Sequence, residues 1–273
     1  DNDNNGYVDG VYVIFAGYGQ EAGASENAIW SHASSITATT VDGKIVDRYS
    51  CSPELRGTSG TNITNIGVIC HEFGHVLGAP DYYDTNAETG GDFLGTGDWD
   101  MMAGGSWNNN GATPAQHNAF TKIKKYNWAS AIVLSQPSSI TLLNAAQNST
   151  SFYQINTATS GEYFLIENRQ MVGFDAALPG QGMIIYHVHS GVNTVGNQIN
   201  VTYPQRMYPV CASATTEPGT TPSSYGNINS AGCAFPYSTK TSFTDATIPS
   251  SKSWAGVNTA KPITNITRNT TLK

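Results

Sequence analysis

The stretch from Asn65 to Pro80 carries the clearest periodicity in the chain, and the rest of the fold must accommodate it. Ile66, Val68, Ile69, Phe73, Val76 and Leu77 recur at helical spacing. Asn62 or Asn65 can cap the start, and Gly78 followed by Pro80 supplies the stop. A helix brings residues four apart onto one face. His71 and His75 are so placed, with Glu72 beside the first of them, in the pattern H-E-x-x-H. Two imidazoles one turn apart can point at one ion, and Glu72 projects toward the same place. There it can accept a proton from a water molecule that attacks a carbonyl.

A zinc ion used for catalysis takes three protein ligands and keeps one position open. Gly78 is expected at positive φ, turning the chain so that Asp81, three residues on, swings back to the metal. Asp81 is therefore the expected third ligand after His71 and His75. Two other roles are open to it: orienting a ligand imidazole, or holding calcium.

Only 12% of the 273 residues are charged and the net charge is −7. An acidic, charge-poor chain offers no footprint for nucleic acid or an anionic membrane. No apolar run approaches the length of about 20 residues that spans a bilayer. Oligomeric state has no signature in the sequence. The cysteines, Cys51, Cys70, Cys211 and Cys233, include no C-x-x-C pair, which argues against thiolate zinc sites. Their even number and proximity predict two disulfides, Cys51–Cys70 and Cys211–Cys233.

Asp1, Asp3, Asn5, the Tyr7 carbonyl and Asp9 fall at the spacing of an EF-hand-like calcium loop, with Gly6 for the turn. Tyr12 stands where such a loop has its bidentate Glu, so a structural calcium there would borrow a ligand elsewhere.

Residues Val11 to Ala16 read as a buried strand, and Val41-Asp42-Gly43 as a hairpin turn between strands at 35–40 and 44–49. Pro53 to Gly60 reads as a loop, and Pro114 opens a second helix with Phe120, Ile123 and Tyr126 on one face. After Trp128 the pattern changes to short strands, at Ile132–Leu134, Ile140–Leu143, Tyr163–Glu167 and Met183–His189. The fold class is therefore α+β, with a boundary near residue 130: residues 1–130 as one domain and 131–273 as a β-rich subdomain.

The runs HEFGHVLGAPDYYDT and GDWDMMAGGSW resemble the immune inhibitor A-like family of secreted bacterial zinc metallopeptidases. Segments at 1–9, 114–128, 162–170, 180–187, 241–243 and 263–266 extend that resemblance over nearly the whole chain. It implies a zincin-type domain with a mixed sheet, an active-site helix and a backing helix. It also implies a methionine turn beneath the zinc, matched by Met102 with Met101 as the alternative register. Family members carry a further strand and helix upstream of the acidic segment. The chain then reads as a secreted or cell-surface enzyme from which an upstream segment has been removed.

The expected activity is zinc-dependent endopeptidase cleavage of protein or peptide substrates, with Glu72 as general base. Competing readings are an inactive, metal-stabilised binding or adhesion module and a hydrolase acting on another bond. Tyr82, Tyr83 and Tyr186 are candidates to stabilise the oxyanion, and Asp84 to support the metal loop. His187 and His189 share a strand face and read as satisfied interior or rim residues. His32 is expected to line the cleft and His117 to lie on a helix surface.

Overall fold

The computed structural model describes residues 1–86, 90–192 and 196–269. It contains two sheets and few helices. In the first sheet, β1 (Val11–Tyr18) pairs parallel with the central β3 (Lys44–Leu55), and β2 (His32–Val41) pairs antiparallel on its other side. The β2–β3 turn is the expected Asp-Gly hairpin, with Asp42 at φ 50 and Gly43 at φ 77. Ser50 to Pro53 of β3 are buried, so the expected loop at Pro53 starts only after Leu55. β1 is not the buried strand its composition suggests. Among the described residues it is an edge strand with β3 as its only partner, and Val13 and Ile14 are 43% and 65% exposed.

The helix α1 (Ile66–Val76) forms with Asn65 as its N-cap residue. It packs on β3 and on the kinked 3₁₀ segment Gly104–Gly111, where contact is too close for a side chain: a Cβ on Gly67 would meet the Ser106 carbonyl at 2.0 Å. Gly78 ends the helix at φ 98, the expected left-handed turn.

Pro114 does not open a helix. The Gln116 and Asn118 N–H groups donate to carboxylates instead, Asp175 Oδ1 and Asp100 Oδ1, each at 2.9 Å. Helical backbone begins only at Ala119 and continues as a π turn over Thr121–Lys125.

The second sheet runs in the order β4 (Ala131–Val133), β5 (Phe152–Asn156), β6 (Glu162–Arg169), β7 (Gly182–His189), β8 (Met207–Pro209). β6 and β7 are antiparallel and buried almost throughout, with the apolar runs Tyr163–Ile166 and Met183–Tyr186 in the sheet centre. The strand expected at Ile140–Leu143 does not form, because side chains take the place of a ladder. Leu143 N–H donates to Ser151 Oγ at 2.8 Å, and Asn168 Nδ2 donates to the Leu142 carbonyl at 2.9 Å.

One cluster of buried apolar side chains joins Tyr82, Trp99 and Met102 to β6, β7 and on to Ile266. A buried ionic knot lies in the same region. Arg169 on β6 donates to Asp175 Oδ1 (2.6 Å), Asp175 Oδ2 (2.9 Å), Glu167 Oε1 (3.3 Å) and the Trp99 carbonyl (2.9 Å). Tyr186 donates to Glu167 Oε1 at 2.7 Å, so the guanidinium and both carboxylates are paired, as full burial demands.

The two expected disulfides are absent: Cys51, Cys70, Cys211 and Cys233 are free thiols. Cys51 Sγ faces the His32 ring, 3.4 Å from Nδ1, instead of Cys70 on α1. Cys211 Sγ lies 3.3 Å from Ser213 Oγ and 3.4 Å from the Asn227 carbonyl. A hydrogen bond from Cys233 lowers its pKa to about 6.

Candidate metal centre

The helix places His71 and His75 one turn apart, their rings edge to face with centroids 5.0 Å apart. Each Nδ1 is fixed by a backbone carbonyl: Met101 O for His71 at 2.9 Å, and Ala79 O for His75 at 2.8 Å. A carbonyl only accepts, so each Nδ1 carries the hydrogen and each Nε2 lone pair is left for a ligand role. The chain beyond Gly78 returns Asp81 to this face. Its Oδ1 lies 3.0 Å from His71 Nε2 and 3.3 Å from His75 Nε2.

The residues fit a divalent metal. The three donor atoms lie within 4.8 Å of one another, and among the described residues no other trio of His, Cys, Asp or Glu donors does so. Asp81 Oδ1 is buried and makes no hydrogen bond of acceptable geometry despite its short distances to both rings. Donors about 2.0–2.1 Å from a tetrahedral zinc stand roughly 3.3–3.4 Å apart, close to the spacing found here. Three electron-rich atoms this close need a cation between them, or protons. Without a metal, the Asp81 carboxylate outweighs the burial that disfavours imidazolium and holds both histidines above their ordinary pKa. Burial favours the neutral acid at Asp81, but the two imidazoles outweigh it and keep the carboxyl well below the usual range.

Glu72 is buried beside these ligands, and burial raises its carboxyl above the ordinary value. Met102 is fully buried, its sulfur packed where a side chain on Gly74 would lie, so it sits against α1 at Gly74. Both methionines have a place here, Met102 by its side chain and Met101 by its carbonyl on His71. Asp100 braces the same turn, accepting from Asn118 Nδ2 at 2.7 Å and from Thr96 Oγ1 at 3.0 Å.

Of the tyrosine candidates, Tyr82 is fully buried and accepts a hydrogen bond from Thr121, and Tyr186 is committed to Glu167. Tyr83 alone stands at the centre: partly exposed, its ring 6.4 Å from that of His71 and its hydroxyl in reach of Asp81. Asp84 serves its own loop, accepting from the Asn86 and Phe93 N–H groups at 2.9 and 3.3 Å.

His32 Nε2 bonds Tyr49 Oη and its Nδ1 lies 2.7 Å from the Trp30 carbonyl. His187 is a satisfied interior residue, 2.8 Å from Glu162 Oε1 and 3.2 Å from Tyr208 Oη, and His189 Nδ1 accepts from the Gly191 N–H. His117 is not on a helix surface. It is largely enclosed, edge-on to Tyr126 and Trp128 under Gly74.

The acidic segment forms a hydrogen-bonded loop. Asp1 Oδ2 accepts from Gly6 N–H at 3.2 Å and from the Lys44 ammonium, Asp3 pairs with Asn5, and Asp9 Oδ2 accepts from Asn2 N–H at 3.0 Å. Asn5 Oδ1 accepts from Tyr7 N–H at 2.8 Å.

Residues 1–130, which contain this centre, match the family described as immune inhibitor A peptidase M6, catalytic domain. The front part of this chain is similar to the immune inhibitor A peptidase family. Immune inhibitor A of Bacillus thuringiensis subsp. alesti is 34% identical over 158 residues, which cover 48% of this chain and 21% of that protein. Pre-pro-metalloprotease PrtV of Vibrio cholerae serotype O1 (strain M66-2) is 31% identical over 118 residues, covering 38% of this chain and 12% of its own length. The match thus spans 21% and 12% of the lengths of these two relatives. A metallopeptidase domain implies a metal, and the donor set above suits zinc. No helix among the described residues is long and apolar enough to cross a membrane.

Proposed function

We propose that the chain is a secreted zinc-dependent endopeptidase acting on proteins or peptides. His71, His75 and Asp81 hold the metal in a zincin-type front domain (1–130), followed by a β-rich subdomain (131–273). The observation that carries this reading is the convergence of two Nε2 lone pairs on the otherwise unbonded Asp81 Oδ1, next to the buried Glu72. The family match of the front part and the low charge content support it.

Zinc bound there supplies Lewis acidity and lowers the pKa of water toward about 7. Glu72 takes a proton from the attacking water and delivers it to the departing amine. Its raised pKa suits a group that must do both. Tyr83 offers its hydroxyl to the carbonyl oxygen as that oxygen gains charge. Met102 and the carbonyls of Met101 and Ala79 keep the imidazoles aimed.

Glu72→Ala tests the reading. It should abolish cleavage of casein while zinc stays near one equivalent per chain. Retained cleavage sinks the role of Glu72. Wild-type protein that holds zinc and cleaves no protein points instead to the binding module.

A further inference from the structure

Asp81 lies in a loop without regular structure, so α1 does not dictate where its carboxylate points. Asn197, 116 residues away in sequence, does. Asp81 N–H donates to Asn197 Oδ1 at 2.6 Å, and Asn197 Nδ2 donates back to Asp81 Oδ2. One side-chain amide thus grips the backbone and the side chain of the same residue, which only a group carrying both donor and acceptor can do. The grip also sorts the two carboxylate oxygens. Oδ2 is occupied by the amide, and Oδ1 is left toward His71 Nε2 and His75 Nε2.

The segment bearing Asn197 is itself sewn to the metal loop. The Asn197 carbonyl accepts from Thr85 Oγ1 at 3.2 Å. Asn200, fully buried, donates to the Tyr82 carbonyl at 2.9 Å and the Met207 carbonyl at 2.7 Å, and accepts from Met207 N–H at 3.1 Å. Asn197, by contrast, is exposed.

We propose that Asn197 is a positioning residue of the metal centre, holding Asp81 in its ligating orientation from the β-rich part of the chain. The proposal rests on the zinc reading of His71, His75 and Asp81. If it holds, residues 1–130 do not contain the whole centre, because the third ligand is aimed from beyond them.

The test is zinc affinity of metal-stripped full-length chain, measured by competition with a chromogenic chelator, together with the melting temperature of the stripped protein. Asn197→Ala and the volume-conserving Asn197→Leu should each weaken zinc binding by about 10–100-fold, the usual effect of losing a partner of a metal ligand. Melting of the stripped forms should match wild type, since the exposed amide is not what holds the fold. Zinc binding within about twofold of wild type in both variants, while Asp81→Ala loses it, overturns the role of Asn197 and leaves the centre standing. A loss of affinity that comes only with lowered melting of the stripped protein overturns it as well. If His71→Ala binds zinc as tightly as wild type, the centre itself is misread, and the proposal falls with it.

Discussion

The sulfur of Met102 occupies the space that a side chain on Gly74 would need: a Cβ built there meets Sδ at 2.5 Å, with His117 and Tyr126 each at 3.2 Å. The Gly74 carbonyl is also tied down, accepting from Tyr126 Oη at 2.9 Å. Two effects therefore oppose each other in Gly74→Ala. Helix propensity alone favours alanine by about 1 kcal/mol. Forcing a methyl into a filled core costs about 1–3 kcal/mol, and here it also pushes Met102 away from the helix that carries His71 and His75. The steric term should win, lowering both the melting temperature and the zinc affinity. A variant more stable than wild type would show that Met102 moves aside freely.

Tyr83→Phe should separate chemistry from binding. The ring stays, so zinc content and melting should hold, while loss of one donor at the developing oxyanion lowers kcat by about 10²–10³-fold. Tyr186→Phe is the contrast: it removes one of the two partners of the buried Glu167 and should appear in stability, at about 1–3 kcal/mol. Steady-state kinetics and urea denaturation of the two variants check this. Normal turnover in Tyr83→Phe would assign the oxyanion elsewhere.

Arg169→Met removes the cation from between two fully buried carboxylates and frees the Trp99 carbonyl. The guanidinium is well matched here: burial works against its charge, but Asp175 and Glu167 more than offset that. Stranding two buried carboxylates should cost about 3–5 kcal/mol in urea denaturation. Arg169→Met/Asp175→Asn/Glu167→Gln should recover much of it. A loss below about 1 kcal/mol in the single variant would mean that solvent reaches the knot.

What the sequence revealed about this centre was local. The i, i+4 histidines, the stop at Gly78 and the hairpin at Asp42-Gly43 each follow from neighbouring residues, and each appears where its spacing puts it. The β1 edge position and the failed helix at Pro114 were not legible, because each is decided by distant partners. Asp100 and Asp175 take the amides that a helix at Pro114 would have used. Asn197 gives no local signal at all. Set between Gly196 and Gln198, it resembles any loop asparagine, and only the folded chain brings it to Asp81.

His117 should give the fold a pH dependence of its own. Burial pushes its pKa down to about 3, with the charges of Lys122, His71 and Arg169 adding to the effect. Its Nδ1 is buried without a hydrogen-bond partner, so nothing in the native state favours its proton. In the unfolded chain a histidine titrates near 6.5. Between those values the unfolded state binds a proton that the native state refuses. Stability is therefore whole above about pH 6.5 and declines as pH falls toward 3, by at most about 1.4 kcal/mol per pH unit from this residue. Other groups titrate over the same range, so the informative quantity is the difference between wild type and His117→Gln, both stripped of metal. Urea midpoints from pH 7.5 down to about pH 4.5 should fall more steeply for wild type, and the two curves should converge as pH drops. Parallel curves would mean that His117 takes up its proton within the fold.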